Sequence, residues 1–338
     1  MKFSLPDSPR ILIIRFSSIG DILMTTPVIR AIRKKFPDAN IHYLTKAKFK
    51  EAIEQHPDLN KVWLLEGKLA PILQELKEQS FDLILDLHDS IRSRLVRFQL
   101  GVPFRVYPKK AFQRWKYTKL KWGLPDPRHT VQKYLSTLQD WGIMDDGLGL
   151  DFPIGPEVLL NVKERIQDLG LLEGKYLAIA LGGSHETKKW PTDYYIRLLN
   201  TYPHKVVLLG GSAEILAGRA IQEACGQVIN LTGKTTLEES GAWLKLSLGV
   251  VTHDTGLMHI SAALQQKVLV IWGNTSPELG MYPWRTPHYN FENPSLSCRP
   301  CSHLGYTQCP KGHFLCMKTL TPEKLLYLLE NELPFLSE

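Results

Sequence analysis

The sequence predicts an α/β protein of two doubly wound domains in tandem, each a parallel sheet covered by helices, facing each other across a cleft. Three observations carry that expectation. The chain has 338 residues, room for two domains of ~150 each. Short apolar runs alternate with stretches of near-helical apolar spacing in both halves. Several runs end in turns of glycine and serine, as strand-to-helix connections do.

The first strand is expected over 11–16, where Ile11-Leu12-Ile13-Ile14 reads as buried on both faces. The small loop Ser17-Ser18-Ile19-Gly20-Asp21 follows, then a helix over 21–36 with Ile22, Leu23, Thr26, Ile29, Ile32 and Phe36 on one face. A carboxylate at the carboxyl end of a first parallel strand sits where open α/β sheets bind ligands. Asp21 serves equally well, on the local pattern, as a helix cap. Further strands are expected at 41–45, 62–65 and 82–87, with helices at 47–55, 68–79, 91–100 and 130–141. The glycine- and proline-rich stretch Gly147 to Pro156 is the linker candidate, which gives domains 1–152 and 153–338, with the last helix able to pack back on the first.

The second half repeats the theme without repeating the sequence. Tyr176–Leu181, Lys205–Leu209, Val228–Leu231, Leu248–Thr252 and Val268–Trp272 read as strands, and Tyr194–Thr201, the stretch through Ala224 and Thr236–Leu246 as helices. Leu181-Gly182-Gly183-Ser184 and Leu209-Gly210-Gly211-Ser212 are strand-then-glycine turns of the kind that cradle phosphate, or simply tight turns. Neither matches the dinucleotide fingerprint or the P-loop. Asp254-Thr255-Gly256-Leu257-Met258-His259 follows a buried strand and opens a helix whose N–H groups suit an anion, with His259 one turn after Thr255. Lys188 and Lys189 offer point charges to a diphosphate, or are surface lysines. Glu214 lies where a carboxylate binds ribose hydroxyls in nucleotide folds.

Composition narrows the class. Apolar residues make up 43% of the chain, enough for two cores. There is no apolar run of ~18 residues and no secretory apolar region at the N-terminus, so a cytoplasmic protein is expected. The formal charge is +7, and its excess gathers between Ser90 and Leu124. Arg92, Arg94, Arg97, Arg105, Lys109, Lys110, Arg114, Lys116, Lys119 and Lys121 occur there with no acidic residue. Phe98, Phe104, Tyr107, Phe112, Trp115, Tyr117 and Trp122 are interleaved. The pattern suits a polyanion at an apolar boundary (anionic lipid headgroups, a phosphorylated glycolipid, nucleic acid) or the solvated faces of ordinary helices. No nucleic-acid-binding module surrounds it, so nucleic acid is not expected.

Four sets of residues then fall in a telling order: Ser17-Ser18-Ile19-Gly20-Asp21-Ile22-Leu23 with Thr26-Pro27; Lys188-Lys189-Trp190-Pro191; Gly210-Gly211-Ser212 with Glu214; and Asp254-Thr255-Gly256-Leu257-Met258-His259. Together they resemble the ADP-heptose:lipopolysaccharide heptosyltransferases, glycosyltransferase family 9, over nearly the whole chain. The resemblance implies a GT-B architecture with the acceptor on the first domain and the nucleotide-sugar on the second. It implies inverting transfer of L-glycero-D-manno-heptose from ADP-heptose to the lipopolysaccharide inner core, with no cofactor or metal needed for catalysis. By position, Asp21 looks like the general base, Ser184 and Lys188 like phosphate ligands and Glu214 like the ribose ligand. Thr235 lies near the adenine, and Asp254, Thr255, Gly256 and His259 hold the diphosphate and sugar. Many members carry hydroxyl residues at both positions matching Gly183-Ser184, so here a side-chain contact is left to Ser184 alone.

With that acceptor, the basic aromatic segment, including Arg92, Arg94, Arg114, Trp115 and Lys116, is expected to meet the acceptor and the anionic inner face of the cytoplasmic membrane. Two other readings stay open: a related enzyme using another nucleotide-sugar or acceptor, and a non-catalytic binding protein on the same scaffold. Asp21 argues against the latter, since a binder needs no base.

Cys298-x2-Cys301-x7-Cys309-x6-Cys316 gathers four of the five cysteines. The first pair has metal-knuckle spacing and the second does not. A structural zinc and a set of reduced thiols both remain open, neither with a catalytic role.

Overall fold

Runs of isoleucine, leucine and valine dictate two all-parallel sheets. The computed structural model describes residues 4–123 and 126–332. The first sheet has the order β3-β2-β1-β4-β5, from β1 (Arg10–Ile14), β2 (Asn40–Lys46), β3 (Lys61–Leu65), β4 (Leu83–Asp86) and β5 (Phe104–Val106). Its central strand pairs Ile11 with Ile41 on one side and Leu83 on the other. Ile11 to Ile14 are buried, as a strand covered on both faces requires. Leu12, Ile14, Phe16, Leu44, Trp63, Leu76, Ile84 and Val96 belong to one core cluster.

The helix expected over 21–36 is two helices, α1 (Ile19–Leu23) and α2 (Thr26–Lys35). The Thr25 hydroxyl donates to the Ile22 carbonyl at 2.6 Å. Pro27, at the start of α2, has no N–H with which to continue the α1 ladder. Ala47–Ala52 forms only a 3-10 stretch. Then come α3 (Ala70–Lys77) and α4 (Ile91–Leu100), the latter ending on Gly101 at φ +65°.

From Ala111 the chain leaves this unit. One unit holds the residues up to Lys110 together with Arg128–Pro153; the other holds Ala111–Pro127 and everything from Ile154 on. The second unit thus begins with α5 (Ala111–Trp115), continued by a π-helical turn over Lys116–Leu120. The chain returns to the first unit for α6 (Thr130–Leu135) and leaves it again after Pro153. The basic stretch, one segment of the first half in the sequence, is therefore divided: Arg92 and Arg94 belong to the first unit, and Arg114, Trp115 and Lys116 to the second.

The second sheet has the order β11-β10-β9-β6-β7-β8. It is preceded by α7 (Pro156–Asp168) and runs through β6 (Leu177–Ala180), α8 (Thr192–Leu199), β7 (Val206–Leu209), α9 (Ile215–Ala224), β8 (Val228–Asn230) and α10 (Leu237–Lys245). It continues with β9 (Gly249–His253), α11 (Gly256–Ala263), β10 (Val268–Ile271) and β11 (His288–Phe291), then α12 (Leu315–Lys318) and α13 (Pro322–Tyr327). Leu325, Leu328 and Leu329 belong to the same core cluster as Leu198, Leu199 and Val206, so α13 and the turn after it pack within the second unit.

Both sheets reverse direction once. The chain runs outward from β1 to β3 and returns beside β1 as β4; it runs outward from β6 to β8 and returns beside β6 as β9. Loops leaving β1 and β4, or β6 and β9, diverge and open a crevice at the strand ends, the place where such sheets take ligands.

Candidate active site

At the first reversal stands Asp21, in α1 directly after β1. One carboxylate oxygen accepts from the Ser18 backbone N–H at 3.1 Å and the Ser18 hydroxyl at 2.9 Å. The other is paired with Arg15 Nη2 at 2.7 Å. The capping role open in the sequence is therefore real, and it coexists with a strong ion pair. Arg15, which the sequence analysis did not single out, is buried. It also donates to Ser17 O and, across the crevice, to Leu87 O, each at 2.7 Å. Burial pulls its pKa down, but Asp21 first and then Tyr134, Tyr107 and Tyr43 more than offset this, so the guanidinium stays charged. Arg15 thus ties the β1 loop to the end of β4 and fixes the direction of the Asp21 carboxylate.

His88, after β4, stacks edge-on against Phe16 at 5.3 Å. Burial first, then Arg15 and Lys109, push its pKa down to about 3, so it is a neutral imidazole beside the aspartate. The next turn is held by buried Asp86, which accepts from the His88 and Asp89 N–H groups at 3.0 and 2.8 Å. Arg94 is bound to Asp89 at 3.0 Å, so its charge is partly committed within the first unit. Arg92 is exposed on α4.

At the second reversal the expected donor residues come from the ends of neighbouring strands. Lys188, after β6, and Asp254, after β9, are both buried and joined at 2.7 Å. Thr255 caps α11, its hydroxyl accepting from Met258 N–H at 3.4 Å, which leaves the Gly256 and Leu257 N–H groups at the helix start. His259 is buried one turn further on. Glu214, after β7, accepts from Gly211 N–H at 3.0 Å and pairs with Lys189 at 3.3 Å. A Cβ on Gly210 would lie 2.9 Å from Glu214 Cβ, so glycine is what lets the carboxylate fold back over this turn. Thr235 follows β8, its hydroxyl 2.8 Å from that of Ser240. Ser184 is exposed, with Oγ 3.1 Å from His185 Nδ1.

His253 is the organiser the sequence did not reveal. It is fully buried and neutral. Nε2 accepts from Trp190 N–H at 2.9 Å and lies 3.0 Å from the Tyr195 hydroxyl, which makes Nδ1 the donor to Gly182 O at 3.0 Å. One imidazole so locks the Gly182 turn, the Lys188 loop and α8 onto β9. Thr187 adds a second tie, its backbone N–H and hydroxyl both 3.1 Å from Tyr306 O.

Burial, the largest influence, pulls the His253 pKa down from 6.5 to about 4, with the hydrogen bond to Gly182 O working the other way. Between those values the unfolded chain binds a proton that the folded chain does not. Stability is therefore lost as pH falls from 6.5 toward 4, on the order of 3 kcal/mol for the full shift. Thermal midpoints measured across that range should fall steeply, and His253→Gln should start lower at neutral pH and fall less steeply.

The family model described as "Glycosyltransferase family 9 (heptosyltransferase)" matches residues 70–310. The chain belongs to glycosyltransferase family 9. Among its relatives, lipooligosaccharide heptosyltransferase 2 of Campylobacter jejuni is 27% identical over 93% of this chain and 95% of its own. Lipopolysaccharide heptosyltransferase 2 of Salmonella typhimurium is 25% identical over 80% of this chain and 84% of its own. The solved structure of E. coli ADP-heptose lps heptosyltransferase II superposes with a TM-score of 0.74 at 20% identity, over 97% of this chain and 98% of that one. The GT-B fold expected from the sequence is thereby shown, and the chain is a glycosyltransferase. The residues expected on the donor side of this family 9 chain lie inside the matched span and Asp21 lies ahead of it.

The cysteine cluster of this family 9 chain lies after β11, with Cys298, Cys301 and Cys309 ahead of α12 and Cys316 within it. Among the described residues no three His, Cys, Asp or Glu side chains are arranged to hold a metal ion. Cys298 Sγ lies 3.9 Å from His313 Nε2. Cys316 is buried, and burial above all pushes its thiol up to about 12. What organises this loop is Arg299, whose guanidinium donates to the carbonyls of Gly273 and Asn293, each at 2.7 Å, and pairs with Glu292 at 2.7 Å. No helix among the described residues is long and apolar enough to cross a membrane.

Proposed function

We propose that this chain transfers a heptose from ADP-L-glycero-D-manno-heptose to the inner core of lipopolysaccharide by one inverting displacement. The observation that carries the proposal is the second reversal point, where Lys188, Asp254 and the start of α11 converge at strand ends, in a family whose relatives are named heptosyltransferases. The Lys188 ammonium and the Gly256 and Leu257 N–H groups take up the charge of the departing diphosphate. Asp254 aims Lys188 and accepts from sugar hydroxyls, since like charge keeps it off the phosphates. Ser184 and His259 line the same end of the sheet. Glu214 accepts from the ribose hydroxyls, and Thr235 lies toward the adenine.

On the acceptor side, Asp21 takes the hydroxyl proton as that oxygen bonds to the anomeric carbon, and the bond from that carbon to the diphosphate breaks. The transfer requires donor and acceptor to meet in line. With Lys188 and α11 neutralising the leaving group, no divalent cation is needed. An acylated acceptor resides in a bilayer, so the reaction is placed on the inner face of the cytoplasmic membrane.

Turnover measured with ADP-heptose, UDP-sugars and GDP-sugars, each with a chelator present, tests the reading. Product is expected with ADP-heptose alone and at an unchanged rate with chelator. Product only from another nucleotide-sugar replaces the donor, and binding without product leaves a binding protein. Mass spectrometry of the core oligosaccharide from a strain lacking the chain identifies the acceptor by its truncation point.

A further inference from the structure

The short segment opening the second unit has two sides of opposite character. Inward, Thr118 is buried, Tyr117 donates to Glu278, Lys119 to the Tyr306 hydroxyl and Lys121 to Pro300 O. Outward, Phe112 is 70% exposed, Trp115 49%, Leu120 57% and Trp122 64%. Four large apolar side chains within eleven residues are left in water although polar anchors hold the backbone firmly beneath them. Phe112 and Trp115 stack with centroids 5.9 Å apart and planes 17° from parallel. Lys116 Nζ sits 3.3 Å from the Trp122 ring centroid and 5.7 Å from that of Phe112.

Large apolar side chains left exposed this close together in the chain mark a binding surface. Its composition selects the occupant. Tryptophan and lysine together are residues of the bilayer interface, where rings lie at headgroup depth and ammonium groups reach back to phosphate. The stretch from Ser90 to Leu124 contains no carboxylate, so nothing within it repels an anionic surface. We propose that Phe112, Trp115, Leu120 and Trp122 insert at the headgroup–acyl boundary of an anionic phospholipid bilayer, with Lys116 leaving the aromatic faces to meet lipid phosphate. This rests on the reading that the acceptor is membrane-held, and it assigns the contact to one segment of the second unit. Insertion of this kind combines buried apolar area with attraction to anionic lipid, so both contributions are open to measurement.

The test uses the full chain and two vesicle types, phosphatidylethanolamine with phosphatidylglycerol, and phosphatidylcholine alone. Wild-type protein is expected to sediment with the former and only weakly with the latter. Its tryptophan emission is expected to be quenched when the acyl chains carry bromine near the headgroup. Phe112→Ser/Leu120→Ser/Trp122→Ser, all exposed positions outside the proposed site, should lose about tenfold or more of the partition while ADP binding is unchanged. Equal partition of the variant, or wild-type binding without bromine quenching, overturns the proposal. So does a patch that instead mediates self-association, seen as a dimer abolished in the variant with no vesicle binding by either protein. Transfer to a soluble, deacylated acceptor reads the catalytic proposal separately, so failure of one is not mistaken for failure of the other.

Discussion

Asp21→Asn should lower turnover by about a hundredfold or more while ADP still binds, because the substitution removes the proposed base and leaves the proposed donor residues untouched. The geometry makes the experiment demanding. Asp21 also accepts from Ser18 and is the ion-pair partner of buried Arg15. Losing the carboxylate leaves buried Arg15 charged without its counterion, which is expected to destabilise the fold. A loss of activity alone would thus not separate chemistry from unfolding. ADP affinity and the thermal midpoint must be read in the same sample. The double variant Arg15→Met/Asp21→Asn should recover most of the stability and none of the turnover. Near-normal turnover of a folded Asp21→Asn protein would reduce Asp21 to a helix cap.

The second large effect is expected at Lys188. Lys188→Met should lower turnover by a factor of about 100 to 1,000, in line with removal of a preorganised donor to a leaving group, and should weaken ADP binding as well. It also leaves Asp254 buried and unpaired, so the variant should be visibly less stable. Lys188→Met/Asp254→Asn separates the two consequences: the thermal midpoint should return toward wild type while turnover stays low. If the double variant regains turnover, Lys188 is only the aspartate's counterion.

What the sequence made legible, and what it hid, divides along a physical line. Ile11–Ile14, Leu177–Ala180, Val206–Leu209 and Val268–Ile271 are apolar without interruption, and such runs have few places to go except a buried parallel strand. The glycine turns after β6 and β7 and the Thr255 cap are likewise local, so these strand-end turns were readable from spacing, while the roles expected of their residues came from the resemblance. Strands β5 and β11 were not: Phe104–Val106 and His288–Phe291 are edge strands, short and only partly buried, and carry no clear pattern. Helix α7 escaped because it follows the linker and buries only Val162 and Ile166. Arg15 and His253 were hidden for another reason. Each sits at the end of an apolar run and acts through groups far along the chain, Leu87 for Arg15, and Gly182 and Trp190 for His253. A lone buried arginine or histidine acquires meaning only when the strands it joins are known to be neighbours.

Because residues 111–127 belong with the later part of the chain while 128–153 belong with the earlier part, the polypeptide passes between its two bodies three times rather than once. A gene divided after Pro153 would therefore not encode two self-sufficient products. The amino-terminal fragment would carry an amphipathic arm parted from Glu278, Tyr306 and Pro300, and the carboxyl-terminal fragment would lack the donors that those three residues accept from. Complementation from separately expressed halves would demand that this arm find its berth in trans.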